Sequence, residues 1–354
     1  MRTTVFFGTN RRIEGSPHDF ANYEAQFAPA AMGAGRLTCA VAAIEGADLE
    51  QRKAGTIAGI ESIATGAFDP GAIGDIAGGR NLLIFLHGFA NGFEAGITRA
   101  AFLRDWFAAS GVPAADCAVV SFSWPSGGKV VDEMSIVPGL LTLVLTAGIA
   151  AVSGHVVSPL ADAYEKDKAS AIGSAQDILA FFAGLESTLR RIRKQGRKVF
   201  LLAHSMGNLA LKEAVLAWKA NGLPTRAVFD EVFLCASDVD AAEQDAAPVW
   251  LASLARLGGR ISVYASRSDE ILRLARVLNG AVRLGADGPE GRTDQDRFPR
   301  TKWRFVDCTG IPDEGPNGGI DASHQYYRRV AVVRDDIARA MDGKGAGGRS
   351  VLKP

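Results

Sequence analysis

The sequence predicts an α/β fold with a mostly parallel central sheet and helices on both of its faces. Short, nearly continuous apolar runs recur along the 354 residues, as strands buried on both faces of a parallel sheet should read. Longer stretches with helical apolar spacing lie between them, and this alternation is the mark of strand–helix–strand units. Composition agrees: 47% apolar and 22% charged residues describe a globular chain. The 39 basic and 39 acidic side chains cancel, which argues against a protein built to neutralise phosphates.

The strand candidates are Leu37–Ile44, Asn81–His87, Cys117–Trp124, Lys198–His204, Glu231–Ala236, Arg260–Ser266 and Lys302–Cys308. Helical spacing marks Gly96–Ala109, Ala169–Arg193, Asn208–Ala220 and Glu270–Leu278. One domain is expected over residues 1–341, with an N-terminal extension over 1–36. The Gly-rich stretch 342–354 is expected to be a disordered tail. Cys39, Cys117, Cys235 and Cys308 are widely spaced and read as buried apolar side chains, not as a zinc site or a disulfide framework. No signal peptide is visible at the start, so a reduced, cytoplasmic setting is expected. Arg190–Lys194 (RRIRK) reads as the solvated end of a helix whose last turn favours cations, and nucleic acid is not expected as a partner.

Ile136–Val157 breaks the pattern, with 22 residues and no Asp, Glu, Lys or Arg. It lies in an apolar insertion over about 128–163 and is long enough to span a membrane. A single crossing would, however, put the strands before it and after it on opposite sides of the bilayer. A helical cap, an interfacial helix that touches the membrane surface, or a re-entrant hairpin remains. The segment also explains the mean hydropathy of +0.08, since the rest of the chain averages slightly below zero.

Catalytic chemistry is suggested first by Ala203-His204-Ser205-Met206-Gly207. Small residues two before and two after a serine are what a strained strand-to-helix turn requires. The pattern alone is common, but VFLLA runs into it and NLALKEAVLAW, an amphipathic helix, runs out of it. Ser205 is thus a candidate nucleophile, with Ala203 and Gly207 supporting the turn. An acyl-transfer enzyme also needs two backbone N–H groups aimed at the developing oxyanion. Met206, after the nucleophile, and Phe89, after His87-Gly88 at the end of an earlier strand, are the candidates. Gly88 would let the backbone approach closely.

His204 adjoins the nucleophile but points away by strand alternation. His324, in the loop DASHQYY beyond the last strand candidate, is the expected general base. Asp269 follows the strand Arg260–Ser266, just before a helix, and is the leading acid, although helix capping would also explain it. Asp238 and Asp240, after Glu231–Ala236, are the alternatives. The chain order Ser205, Asp269, His324 is the order of α/β-hydrolases.

On these motifs the chain resembles an α/β-hydrolase over roughly Arg36 to Ala340. More narrowly it is similar to a bacterial branch of esterase- or lipase-like serine hydrolases with no assigned substrate. VFFGTNRR, FLHGFANGFEAG, VVSFSWPS, LLAHSMGN, ASDVDAAEQD, YASRSDEILRLAR, RLG and SHQYY carry the resemblance. It implies an eight-stranded hydrolase sheet, and it implies nucleophile, acid and base at Ser205, Asp269 and His324. It further implies that the loop at Phe122–Pro125 shapes the pocket. The apolar insertion after Trp124-Pro125-Ser126 departs from the pattern, in which a short connection is expected.

The expected activity is hydrolysis of a small-molecule carboxylic ester, or of a thioester or lipid-like acyl substrate, through an acyl-enzyme. It calls for no metal and no organic cofactor. A peptidase or amidase would use the same apparatus, and a non-catalytic binding or membrane-docking module is the reading from a different class. Contact with a membrane surface through Ile136–Val157 is a further expectation. Nothing in the sequence sets an oligomeric state.

Overall fold

The structure, a computed structural model, describes residues 2–30, 35–127, 154–242, 249–313 and 323–354. Among these residues ten strands form one sheet. They are β1 (Arg2–Thr9), β4 (Thr38–Glu45), β5 (Thr56–Thr65), β6 (Asn81–Leu86), β7 (Cys117–Ser123), β8 (Val199–His204), β9 (Phe229–Cys235), β10 (Gly258–Ala265), β11 (Trp303–Asp307) and β12 (Gly348–Val351). Their order is β12-β11-β10-β9-β8-β6-β7-β1-β4-β5. Short strands β2 (Arg11–Ile13) and β3 (Tyr23–Phe27) pair separately. From β12 to β1 every pairing is parallel; β4 pairs antiparallel to both β1 and β5.

Alternation along the central strands divides the core in two. Leu82, Ile84 and Leu86 of β6 and Val199, Leu201 and Ala203 of β8 face one apolar layer. Leu83 and Phe85, with Phe200 and Leu202, face the other. The first layer is covered by α1 (Pro70–Ile76), α4 (Ala175–Lys194), α5 (Gly207–Ala220) and α6 (Val249–Leu257). The second is covered by α2 (Phe93–Ala108) and α10 (Ala331–Met341). Each buried Val, Leu, Ile or Phe contributes about 1.5–3 kcal/mol, so both faces of the sheet are strongly anchored. The remaining helices are α3 (Gly154–Gly173), α7 (Glu270–Asn279), α8 (Leu284–Asp287) and α9 (Tyr326–Arg329).

The sheet has ten strands where the resemblance implies eight. The seven strand candidates correspond to β4 and to β6 through β11, within a few residues at their ends. Edge strand β5 escaped the reading because few of its side chains, Ile57 and Ile60 among them, are buried. The helical stretch Ala169–Arg193 divides at Ser174, whose Oγ donates to Ser170 O (2.8 Å) and accepts from Asn10 Nδ2 (3.0 Å).

The stretch 342–354 is not the expected disordered tail, because β12 within it pairs with β11 from Arg304↔Gly348 to Asp307↔Val351. Its glycines serve close approach: a Cβ on Gly347 would sit 2.0 Å from the Arg300 carbonyl oxygen. RRIRK forms the exposed basic end of α4, with Ile192 turned into the core. All four cysteines are buried and free.

Of the apolar segment Ile136–Val157, all but the first residues of α3 lie outside the described residues, and with them the cap and membrane readings. No helix among the described residues is long and apolar enough to cross a membrane.

Candidate active site

Because β6 through β11 run parallel, the loops that follow them open on one edge of the sheet. Register fixes how they meet: Leu86 lies beside Ala203, Ala203 beside Leu234, and His204 beside Cys235. Ser205 therefore emerges between the ends of β6 and β9.

Its backbone has φ of 53°, a region L-residues rarely adopt, as the elbow requires. The strained turn is held by hydrogen bonds. Ser205 N–H donates to Cys235 O (3.0 Å), and the Ser205 carbonyl accepts from the backbone of Asn208 (3.0 Å) and Asp238 (3.2 Å). Asn208 Nδ2 donates to the carbonyls of Ala203 and Ser205, each at 3.1 Å. Gly207 is required by proximity, since a Cβ there would lie 2.4 Å from His87 O and 2.6 Å from Leu86 O. A Cβ on Gly88 would lie 2.9 Å from the Ser205 Cβ. The two glycines thus mark where the elbow and the loop after β6 are pressed together. Met206, fully buried, caps the N-terminus of α5, the positive end of that helix.

Asp269 and His324 meet: His324 Nδ1 lies 2.7 Å from Asp269 Oδ2. A carboxylate can only accept, so the Nδ1 that faces it carries a proton. Asp269 also caps α7, accepting Leu272 N–H at Oδ1 (3.0 Å). Asp269 thus caps the helix through one oxygen and meets His324 through the other. Complete burial raises its carboxyl pKa, and His324 beside it pulls the other way. The His324 loop is pinned by Ser323 Oγ, which donates to Ser268 O (2.6 Å). His204 joins β8 to this loop. Its Nε2–H donates to the His324 carbonyl (3.1 Å), and its ring stacks on Tyr327 (centroids 4.5 Å apart). Burial holds the His204 pKa well below its ordinary value, so the ring is neutral.

The alternative acids are held by other side chains. Asp238 accepts from Tyr164 Oη (2.8 Å) and pairs with Arg283 Nη1 (3.6 Å). Burial raises its pKa and Arg283 offsets part of the rise. Asp240 forms an ion pair with Arg283 Nη2. Arg283 belongs to RLG, and the backbone of Leu284 and Gly285 bonds to Val239 and Ser237, so RLG and SDVDA clasp each other.

His87 is buried and stacks on Trp124 with centroids 4.9 Å apart. Its Nδ1–H donates to Gly88 O (3.0 Å), and burial, helped by Arg11, lowers its pKa to about 3. Phe89 is half-buried and packs edge-on against Tyr164. Among the described residues no group of three or more His, Cys, Asp or Glu side chains is placed to hold a metal ion.

Several supporting residues were not legible as such. Asn208 and Arg11 were visible only inside motifs of resemblance, LLAHSMGN and VFFGTNRR. Asn91 likewise lay inside FLHGFANGFEAG, while Tyr164 and Asp167 gave no signal, because their partners lie 40 or more residues away.

A mostly parallel sheet whose central strand turns through a strained serine into a helix is the architecture of an α/β-hydrolase. A family model described as alpha/beta hydrolase of unknown function (DUF900) matches residues 76–337, well over half of the chain, and the chain belongs to that family. No curated protein matches it.

Proposed function

We propose that the chain is a serine hydrolase of carboxylic esters. The observation that carries this reading is the His324–Asp269 hydrogen bond on the sheet edge where Ser205 sits at positive φ. His324 Nε2 would take the Ser205 hydroxyl proton as Oγ attacks the ester carbonyl carbon. The carbonyl π electrons move to oxygen, and the N–H groups of Phe89 and Met206 would stabilise the resulting oxyanion. Collapse expels the alkoxide, which leaves as the alcohol with the proton from His324, and Ser205 keeps the acyl group. Water, deprotonated by His324, then attacks the acyl-enzyme and releases the acid and free Ser205. Asp269 holds the imidazole in one tautomer and stabilises the imidazolium.

An apolar acyl group is the preferred substrate in this reading, on the strength of the uncharged segment Ile136–Val157. A panel of p-nitrophenyl esters from acetate to decanoate tests both statements. Turnover that rises with chain length and vanishes in Ser205→Ala supports them. Absence of turnover across the panel counts against the activity, and a strict acetyl preference against the acyl class alone.

A further inference from the structure

VFFGTNRR, near the chain start, has no place in the proposed chemistry, yet it reaches the loop after β6. Arg11 is almost wholly buried at 1% exposure. Its Nη2 donates to Asn91 O (3.0 Å), its Nε to Ser123 Oγ (3.0 Å) and its Nη1 to Ser126 O (3.1 Å). Asp167 of α3 approaches the same loop from the other side. Its Oδ2 accepts Ala90 N–H (3.1 Å) and its Oδ1 accepts Gly127 N–H (2.9 Å). Ser126 joins the two, donating through Oγ to Asp167 and accepting Asn91 N–H at 3.0 Å.

Ala90 has φ of 54°, an unfavourable value for a residue with a Cβ. Asp167 holds it there through the Ala90 amide. Next to it, Asn91 Nδ2 donates to Gly88 O (2.9 Å) and Phe89 O (2.8 Å), while His87 Nδ1–H also donates to Gly88 O. Gly88 C=O and Phe89 N–H belong to one planar trans peptide, so they point in opposite directions. Two donors that hold the Gly88 oxygen therefore also aim the Phe89 N–H. Holding the Phe89 carbonyl and the Ala90 amide fixes the following peptide as well, and the unit cannot rotate without breaking several buried hydrogen bonds.

We propose that Asn91 and Asp167, braced by Arg11, are positioning residues that orient the Phe89 peptide as an oxyanion donor. They touch no reacting atom; they hold the peptide that does. The proposal rests on the serine-hydrolase reading. An oxyanion donor acts more strongly in the transition state than on bound substrate, so misaiming it lowers kcat and leaves KM nearly unchanged.

The test is steady-state hydrolysis of p-nitrophenyl butyrate by the full chain, with active sites counted by fluorophosphonate titration. Asn91→Ala and Asp167→Asn are compared, the second keeping the size and shape of the side chain. Loss of one oxyanion donor costs about 10²–10³ in kcat, so partial misplacement should cost about 10- to 100-fold per titrated site. KM should stay within about threefold of the wild type, and binding of a trifluoromethyl ketone, which forms an oxyanion, should weaken in step with kcat. A purely structural role would lower the number of titratable sites and leave kcat per site unchanged, and that result overturns the proposal. Should Asn91→Ala fail to fold, Asp167→Asn decides by the same criteria. A folded wild type that neither hydrolyses the ester nor takes the fluorophosphonate overturns the hydrolase reading and the proposal with it.

Discussion

His324 Nδ1 and Asp269 Oδ2 are 2.7 Å apart across 55 residues of chain, and Asp269 has no exposed surface. In water such a pair would be worth little. Here the carboxylate is desolvated and has few other partners, so it dictates which nitrogen of the ring is protonated.

Asp269→Asn is therefore expected to cut kcat by about 10³–10⁴-fold, because an amide can present its NH₂ to Nδ1 and favour the wrong tautomer. Steady-state kinetics on an aryl ester would measure this. A loss below tenfold would move the acid to another residue.

Asp238→Asn provides the contrast. Asp238 is held by Tyr164 and Arg283, so the substitution should change kcat by less than about tenfold. Its cost should appear in stability. Breaking a buried ion pair costs about 3–5 kcal/mol, reduced here because Arg283 keeps Asp240 and the amide keeps one acceptor oxygen. Urea midpoints would report the loss.

Gly207→Ala should destabilise the fold and displace the loop after β6. The added Cβ would meet two backbone carbonyl oxygens of that strand end, which cannot rotate away. Overpacking of this kind costs about 1–3 kcal/mol. An unchanged denaturation midpoint would show that the elbow and the loop are less tightly packed than described.

Acid sensitivity should trace in part to His87. Burial lowers its folded pKa to about 3, whereas the unfolded chain takes up that proton near the ordinary value of 6.5. The stability contributed by the neutral ring is present above about pH 6.5 and is lost as pH falls towards 3. Relative to His87→Phe, the wild type should lose about 1.4 kcal/mol per pH unit across that window. Urea unfolding of both proteins at pH 7, 6 and 5 measures the slope. A constant difference between them would show that the ring is protonated in the folded state.

The parallel sheet was legible because its inner strands are buried on both faces and so spell apolar runs, of which VFLLA before Ser205 is the clearest. β1 was not, since its residues fell in the expected N-terminal extension although it lies between β7 and β4; nor were β5 and β12, because edge strands bury few side chains and β12 pairs through its backbone after a glycine-rich turn. The meeting of Asp269 and His324 was legible from chain order and strand ends, which the parallel topology brings to the edge where Ser205 sits. The competition between Asp269 and Asp238 was not decidable from the chain alone, since both follow strands that end on the same edge. Their surroundings differ through Arg283 and Tyr164, which hold Asp238 from 45 and 74 residues away. Likewise, Arg11 carries no local sign that its guanidinium lies against Asn91. Long-range polar networks of this kind leave no periodicity to read.

The central claim, that Ser205 is an activated nucleophile, is tested most directly by fluorophosphonate labelling followed by peptide mapping. One phosphonyl group per chain is expected on Ser205, with none on Ser205→Ala and slow labelling of His324→Ala. A folded protein that stays unlabelled, or that carries the label on another residue, would contradict it.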